Sequence, residues 1–127
     1  ILQRLQSDLV SHCQSALERR LDTAVAQWDP RPAVGVVLAA GGYPNAYEKG
    51  HTITGLDTPW PATTKVFHAG TQTQDGNIVT HGGRVLCVSA LGNTIEEAIQ
   101  LAYAGVDHIN WQDMIFRQDI GWRAIDR

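Results

Sequence analysis

The feature of the sequence that most constrains the fold is a set of four short, β-branched apolar segments between residues 34 and 90. Such segments are too short for typical helices, and their valine content favours strands. Val34 to Ala40 is continuously apolar, which predicts a strand buried on both faces. Three more strands are predicted at 65–69, 77–80 and 84–90. Because Asp75-Gly76 and His81-Gly82-Gly83 are turn signals, we expect these three strands to form an antiparallel meander.

Two amphipathic helices are predicted, one before and one after the strands along the chain. Apolar residues at three- and four-residue steps predict a helix over residues 1–27, which ends at Asp29-Pro30-Arg31-Pro32 because proline cannot continue it. A second helix is predicted to begin at Asn93 or Thr94 as its N-cap, with Glu97 in the capping-box position three residues after Thr94. The buried stripe of this helix is predicted to be Ile95, Ala98, Ile99, Ala102, Tyr103 and Val106.

The remaining segments have weaker patterns. Residues 46–64 are punctuated by glycine and proline, which predicts an ordered surface loop with one short strand near Thr52. The tail from Trp111 to Ile125 carries enough apolar side chains to pack on the domain. Together the patterns predict a single α+β domain.

Composition excludes several classes of function. Ten Lys and Arg against thirteen Asp and Glu give a net charge of -3, so we expect no nucleic-acid partner. The longest apolar run is far too short to span a membrane, and two cysteines are typical of a reducing compartment. We therefore expect a cytoplasmic protein without a membrane partner. A start at Ile1, without an N-cap, favours a cut from a longer polypeptide.

The chemistry of the residues leaves two alternatives open. His81-Gly82-Gly83-Arg84 could bring backbone amides and a guanidinium to one phosphate, but a tight hairpin turn explains the same residues, and spacing alone favours the turn. A hydrolase that pairs Cys87 with His68 or His81 is disfavoured, because a cysteine in an apolar strand is usually inert. No histidine or cysteine spacing indicates a metal site, and two lysines are few for an ATP site.

Four motifs, in order along the chain, resemble a known family. They are VGVVLAAGGYP at 34–44, KVFHAGT at 65–71, GGRVLCVSALGNT at 82–94 and DIGWRAI at 119–125. The chain from residue 32 onward is similar to the C-terminal domain of the phosphoribosylamine–glycine ligases, also called glycinamide ribonucleotide synthetases. The first helix, with Ser7-Asp8-Leu9-Val10, resembles the last helix of that family's ATP-grasp region. The implied division is therefore 1–31 and 32–127.

The resemblance implies a fold and an activity. The fold is a small antiparallel β domain of the rudimentary single-hybrid, barrel-sandwich type with flanking helices. The activity is de novo purine synthesis: ATP and Mg²⁺ (or Mn²⁺) activate glycine's carboxylate as an acyl phosphate, and the amine of 5-phosphoribosylamine attacks it to give glycinamide ribonucleotide, ADP and phosphate. The ATP and metal ligands of the family would lie in upstream domains of the same polypeptide, so the fragment alone is expected to be inactive.

The resemblance also assigns a candidate site. In related purine enzymes the matching hairpin contributes basic residues to the substrate's ribose phosphate, which implies a phosphate-binding role for Arg84 with Gly82 and Gly83. Lys65 and His81 lie in the same group of strands and are further candidates. The alternative from a different class is a non-catalytic interaction module that shares the fold.

Overall fold

The fold centres on a four-stranded antiparallel sheet. The computed structural model describes residues 1–125, so the last two residues of the predicted second domain, 126 and 127, lie outside the described residues. The strands are β1 (Ala33–Ala39), β2 (Thr64–His68), β3 (Thr71–Gln74), β4 (Asn77–Thr80), β5 (Arg84–Leu91) and β6 (Ile115–Phe116). The helices are α1 (Leu9–Leu17) and α2 (Ile95–Val106), with 3-10 turns at Leu2–Arg4, Leu21–Thr23 and Trp122–Ala124. The sheet order is β2-β5-β1-β6, and β3 and β4 form a separate hairpin.

The predicted meander is wrong, although all four predicted strands exist. β5 pairs with β1 and β2, whereas β4 pairs with β3, a strand that was not predicted because its sequence, Thr71–Gln74, is polar. The two-residue turn Asp75-Gly76 has positive φ at both positions, as a tight hairpin requires. That turn therefore folds β4 back onto β3 and leaves β5 free to enter the larger sheet.

One face of the sheet packs on α2, and the other face is largely open. Val34, Val36 and Leu38 of β1 are buried on the α2 side, with Val88 and Ala90 of β5. On the opposite side Gly35 is exposed and Val37 keeps 43% of its surface accessible. The prediction that this strand is buried on both faces is therefore wrong. We call the side that carries Gly35 and Val37 the open face.

The predictions for α2 are confirmed. Thr94 Oγ1 accepts from the Glu97 amide at 3.2 Å, and Glu97 Oε2 accepts from the Asn93 amide at 2.6 Å, so the capping box is formed. Ala98, Ala102 and Val106 of the predicted stripe are fully buried. The rest of the stripe is half-buried and packs against the same core: Ile95, Ile99 and Tyr103.

The predicted helix over 1–27 is wrong in extent. α1 spans only Leu9–Leu17, begins at an Asp8 N-cap whose carboxylate accepts from the Ser11 amide at 2.8 Å, and ends before Arg19, which has a φ of 57°. The chain then turns back, and residues 4–6 pair with residues 27–29. Apolar periodicity alone could not reveal that reversal, because the reversal depends on the backbone conformation at Arg19.

The loop and the tail largely follow prediction. Thr52 forms a single antiparallel bridge with Val79, which agrees with the short strand expected there. In the tail Trp111 is buried, but Trp122 and Ile125 are about half exposed, at 51% and 46%. The predicted packing is therefore wrong for these two residues, which lie beyond the last strand of the sheet. No helix within residues 1–125 has both the length and the apolar character needed to span a membrane.

Candidate phosphate-binding site

A groove of about 600 Å³ lies on the open face at one end of β5. That volume is within the range of pockets that hold small ligands. Its walls come from the turn after β1, the end of β2 and the start of β5. The residues that line it are Val37, Tyr43, Ala69, Gly70, Gly83, Arg84, Leu86 and Cys87.

Arg84 reaches the groove because of an irregularity in β5. Leu38 pairs with Leu86 and Ala39 pairs with Arg84, so Val85 is an extra residue in β5. Strict alternation would place Arg84 on the same side as Leu86, which is the α2 side. The bulge shifts the alternation by one residue and brings Arg84 to the exposed side.

The Arg84 guanidinium is available to a ligand. It makes no ion pair and no hydrogen bond with any residue in the described part of the chain. By contrast, the nearby Arg117 is held by Asp119 through two hydrogen bonds of 2.8 and 2.6 Å. That bidentate pair raises the pKa of Arg117 and lowers the pKa of Asp119. An unpaired guanidinium beside a groove is suited to a planar or tetrahedral oxyanion.

Packing explains the two glycines before Arg84. An added Cβ on Gly83 would lie 2.1 Å from the Tyr43 ring, and one on Gly82 would lie 3.0 Å from the Gly70 Cα. A hairpin does not explain them, because β4 and β5 belong to different sheets. Within residues 1–125, neither the Gly82 nor the Gly83 amide donates to another residue. Both N–H groups therefore remain available to an anion or to water.

The structure brings together two of the five predicted site residues and leaves three outside the groove. Gly83 and Arg84 line it, whereas Gly82 and His81 precede it in the chain, where the His81 amide donates to Gly70 O at 2.7 Å. Lys65 lies further along the open face, in register with Ser89, and its Nζ is 5.4 Å from the centre of the Phe67 ring. The structure thus places Lys65, His81 and Gly82 outside the groove walls.

Sequence reasoning missed Tyr43 and Gly70 as parts of the groove. Tyr43 follows β1 in the GGYP motif, and Gly70 follows β2 in the HAGT motif. Both motifs stand out in the sequence, but only as turn signals or as signs of resemblance. Since β1 and β2 both run antiparallel to β5, their C-terminal ends meet the start of β5 at one edge of the sheet. Predicting that Tyr43 and Gly70 line the groove would have required the correct order of the strands in the sheet.

The geometry does not favour a thiol hydrolase. Phe67 pairs with Cys87 and His68 pairs with Leu86, so His68 and Cys87 lie on opposite faces of the sheet. His68 Nδ1 instead contacts Thr71 Oγ1 at 3.0 Å. Cys87 lies on the open face and is half-buried, and desolvation raises the pKa of its thiol. A raised pKa disfavours the reactive thiolate.

Comparison with known proteins identifies the family. Residues 33–123, which are more than half of the chain, match the family described as phosphoribosylglycinamide synthetase, C domain. The chain is 58% identical over 127 residues to the phosphoribosylamine–glycine ligase of Vibrio cholerae. It is 52% identical over 128 residues to the enzyme of that name from Escherichia coli. All of this chain is covered in both comparisons, but it spans only 30% of the length of either curated relative.

A solved structure supports the same assignment. The crystal structure of phosphoribosylamine–glycine ligase from Thermotoga maritima superimposes with a TM-score of 0.66 at 37% sequence identity. That match covers 84% of this chain and 27% of the solved chain. The resemblance inferred from the four sequence motifs is therefore confirmed. This chain belongs to the phosphoribosylglycinamide synthetase C-domain family.

Proposed function

We propose that this chain is the C-terminal part of a phosphoribosylamine–glycine ligase. That enzyme would join glycine to 5-phosphoribosylamine, convert ATP to ADP and phosphate, and release glycinamide ribonucleotide for purine synthesis in the cytoplasm. The identity to two ligases over the full length of this chain supports the proposal. So does the share of those ligases that the chain spans, 30%, which leaves most of the enzyme to other domains.

The ATP and metal chemistry is assigned to those other domains. Magnesium or manganese bound with ATP would neutralise phosphate charge and favour the activation of glycine's carboxylate. The residues present here do not fit that group: within 1–125 there is no cluster of three or more His, Cys, Asp or Glu side chains that could hold a metal ion. We therefore assign no step of the activation to this chain.

The role that the geometry supports best for this chain is to hold the phosphate of 5-phosphoribosylamine. The observation that carries this role is the unpaired Arg84 guanidinium. A β-bulge places Arg84 in the wall of the groove, next to Gly83, whose amide is free. Gly82, which precedes the groove in the chain, has a second amide without an acceptor among residues 1–125. Lys65 and His81 would contribute only from outside the groove. Anchoring a non-reacting phosphate positions the amine for attack, which is how such contacts accelerate a two-substrate reaction.

The proposed domain division places residues 1–31 at the end of an ATP-grasp domain and residues 32–127 in the C-terminal domain. The apolar side chains that the described structure leaves exposed support an upstream partner within the same polypeptide: Leu9, Val10, Leu17, Leu21, Val25, Val37 and Ile115. The antiparallel sheet with α2 on one side is compatible with the proposed rudimentary single-hybrid, barrel-sandwich class.

The test of the site is an Arg84→Ala substitution in the full-length ligase. We expect KM for 5-phosphoribosylamine to rise roughly 10- to 100-fold, because a charge-assisted hydrogen bond to phosphate is worth about 1.5–3 kcal/mol. The KM values for glycine and ATP should not change. The control is Arg123→Ala, which removes another exposed arginine, one that stacks on Trp122 instead of lining the groove. Equal KM values in wild type and Arg84→Ala would refute the site.

The alternative, a non-catalytic interaction module, makes a different prediction about the native protein. An antibody against this chain should detect a band several times heavier than 13.9 kDa in source cells if the chain is part of a ligase. A single band at the mass of the chain itself would favour the interaction module. That outcome would leave the family assignment unchanged and remove the catalytic role.

A further inference from the structure

Tyr43 is held in place by its contacts with the turn that carries Arg84. Gly83 has no side chain at the point where the Tyr43 ring approaches, and a Cβ there would lie 2.1 Å from Tyr43 Cδ2. The ring also makes an edge-on contact with Tyr47, with centroids 6.1 Å apart and planes at 61°. The Tyr43 amide donates to Ala40 O at 3.1 Å, which fixes the backbone at the end of β1. The position of this ring is therefore linked to the Gly83-Arg84 segment.

The Tyr43 hydroxyl, in contrast, is not used by the fold. It makes no hydrogen bond with any residue between 1 and 125, and 36% of the residue's surface is exposed. The Tyr103 hydroxyl shows the difference, because it donates to Arg117 O at 2.6 Å and accepts from the Ile120 amide at 3.0 Å. A phenol with a free O–H is a hydrogen-bond donor at neutral pH.

Tyr43 also shares its surroundings with Arg84. A second groove of about 350 Å³ lies beside the first, and its walls include Ile115, Phe116 and Arg117. Val37, Tyr43 and Arg84 line both grooves, so these three residues form the boundary between them. A phosphorylated ligand in either groove would therefore have both Arg84 and Tyr43 in the walls around it.

We propose that the Tyr43 hydroxyl donates a hydrogen bond to the phosphate ester that Arg84 binds. The inference rests on the proposed function, since it takes a phosphorylated sugar as the ligand. A guanidinium uses two oxygens of a phosphate when it binds in the bidentate mode, which leaves a third oxygen for another donor. Tyr43 is then a substrate-contacting residue, and the Gly83 contact holds its ring in the bound orientation before the ligand arrives.

The experiment compares ribose 5-phosphate binding by the full-length ligase, three single variants and one double variant, measured by isothermal titration calorimetry. Tyr43→Phe removes the hydroxyl and keeps the ring against Gly83, so the fold is preserved. We expect its Kd to rise about 5- to 10-fold, and KM for 5-phosphoribosylamine to rise equally with kcat and the glycine KM unchanged. Tyr47→Phe is the matched control, since Tyr47 lines neither groove, and should bind as wild type does.

The third variant, Arg84→Ala, separates this inference from the proposed function. If Arg84→Ala weakens binding and Tyr43→Phe does not, the phosphate site stands and the hydroxyl contact is wrong. If neither substitution weakens binding, both proposals fail. When both singles weaken binding, the Tyr43→Phe change should have a smaller effect in the Arg84→Ala background, because the phosphate is no longer held beside it. Additive effects would contradict a shared phosphate.

Discussion

The two helices of this chain have similar sequence patterns but differ in how deeply they are buried. α1 and α2 are both amphipathic, and each begins at a side-chain N-cap, Asp8 in one and Thr94 in the other. Yet α2 buries Ala98, Ala102 and Val106 against the sheet, whereas none of the residues of α1 is buried. An apolar helix face therefore predicts that the helix packs on a partner. The sequence pattern does not indicate whether that partner lies in the same chain.

The contrast fits the proposed function. The chain spans 30% of its curated relatives, and α1 precedes the residues that match the C-domain family. In the proposed ligase, the exposed side of α1 would pack on the ATP-grasp domain, while α2 would keep the partner it has here. The α1 region and the core around α2 should therefore respond differently to substitution.

The largest expected difference is between a core leucine and an α1 leucine. Leu38 is fully buried and Leu17 is 85% exposed. Leu38→Ala should lower the free energy of unfolding by about 2–5 kcal/mol, because it removes buried methyl groups and leaves a cavity. Leu17→Ala should change it by less than about 0.5 kcal/mol. Urea unfolding of the 127-residue chain, followed by tryptophan fluorescence, to which the buried Trp111 contributes, measures both.

The same pair of substitutions tests whether α1 gains a partner in the ligase. In the full-length enzyme Leu17→Ala should become more costly than in the isolated chain, whereas the cost of Leu38→Ala should stay the same. Equal costs of Leu17→Ala in both proteins would show that Leu17 stays exposed in the ligase. That result would remove α1 as support for the proposed domain contact.

Much of the fold was predictable from local signals, and the errors in strand pairing and strand burial have one physical cause. The capping box at Thr94 and the apolar strands depend on neighbouring residues, and these predictions are confirmed. The meander and the burial of Val37 depended on which elements meet in space, which sequence spacing does not show. The site divides in the same way. The motif led to the prediction of Arg84, which lines the groove, but Tyr43 was not predicted as a groove residue because only the pairing of β1 with β5 brings it to Gly83.

A moderate effect is expected from the two helix caps. Thr94→Ala should lower the free energy of unfolding by about 1 kcal/mol, since Thr94 Oγ1 satisfies the Glu97 amide at the start of a helix that packs on the core. Asp8→Ala removes the equivalent bond to the Ser11 amide, at 2.8 Å, from a helix without buried residues. It should therefore unfold α1 locally and leave the global transition unchanged.

Hydrogen exchange distinguishes local from global unfolding in these cap variants. In Asp8→Ala, the amides of α1 should lose protection while those of α2 keep it. Thr94→Ser retains the capping oxygen and serves as the control for the second cap. A lower urea midpoint for Asp8→Ala, with α1 and the core unfolding together, would show that the two regions are one cooperative unit.

The smallest expected effect is a pH dependence at Asp29, where the N-terminal region joins the core. Hydrogen bonds from the Arg31 side chain, at 2.7 and 3.0 Å, and from its amide, at 2.9 Å, hold the pKa of Asp29 at about 2, below its ordinary value of 3.8. A carboxyl whose pKa is lower in the folded state stabilises that state above its unfolded pKa, and the stabilisation is lost as the pH falls through about 2.

Asp29 also pairs with the start of the chain, because its amide donates to Arg4 O at 2.7 Å and its carbonyl accepts from Arg4 Nε at 3.0 Å. Asp29→Asn should therefore weaken the protection of two backbone amides, that of Gln6 and that of the substituted residue itself, against hydrogen exchange at pH 6. The difference from wild type should disappear between about pH 4 and pH 2, where the wild-type carboxyl also loses its charge. Asp119→Asn is the control, since its carboxyl is paired with Arg117 far along the chain and should not affect the Gln6 amide. Equal Gln6 protection in wild type and Asp29→Asn at pH 6 would show that the pairing of residues 4–6 with 27–29 does not depend on this ion pair.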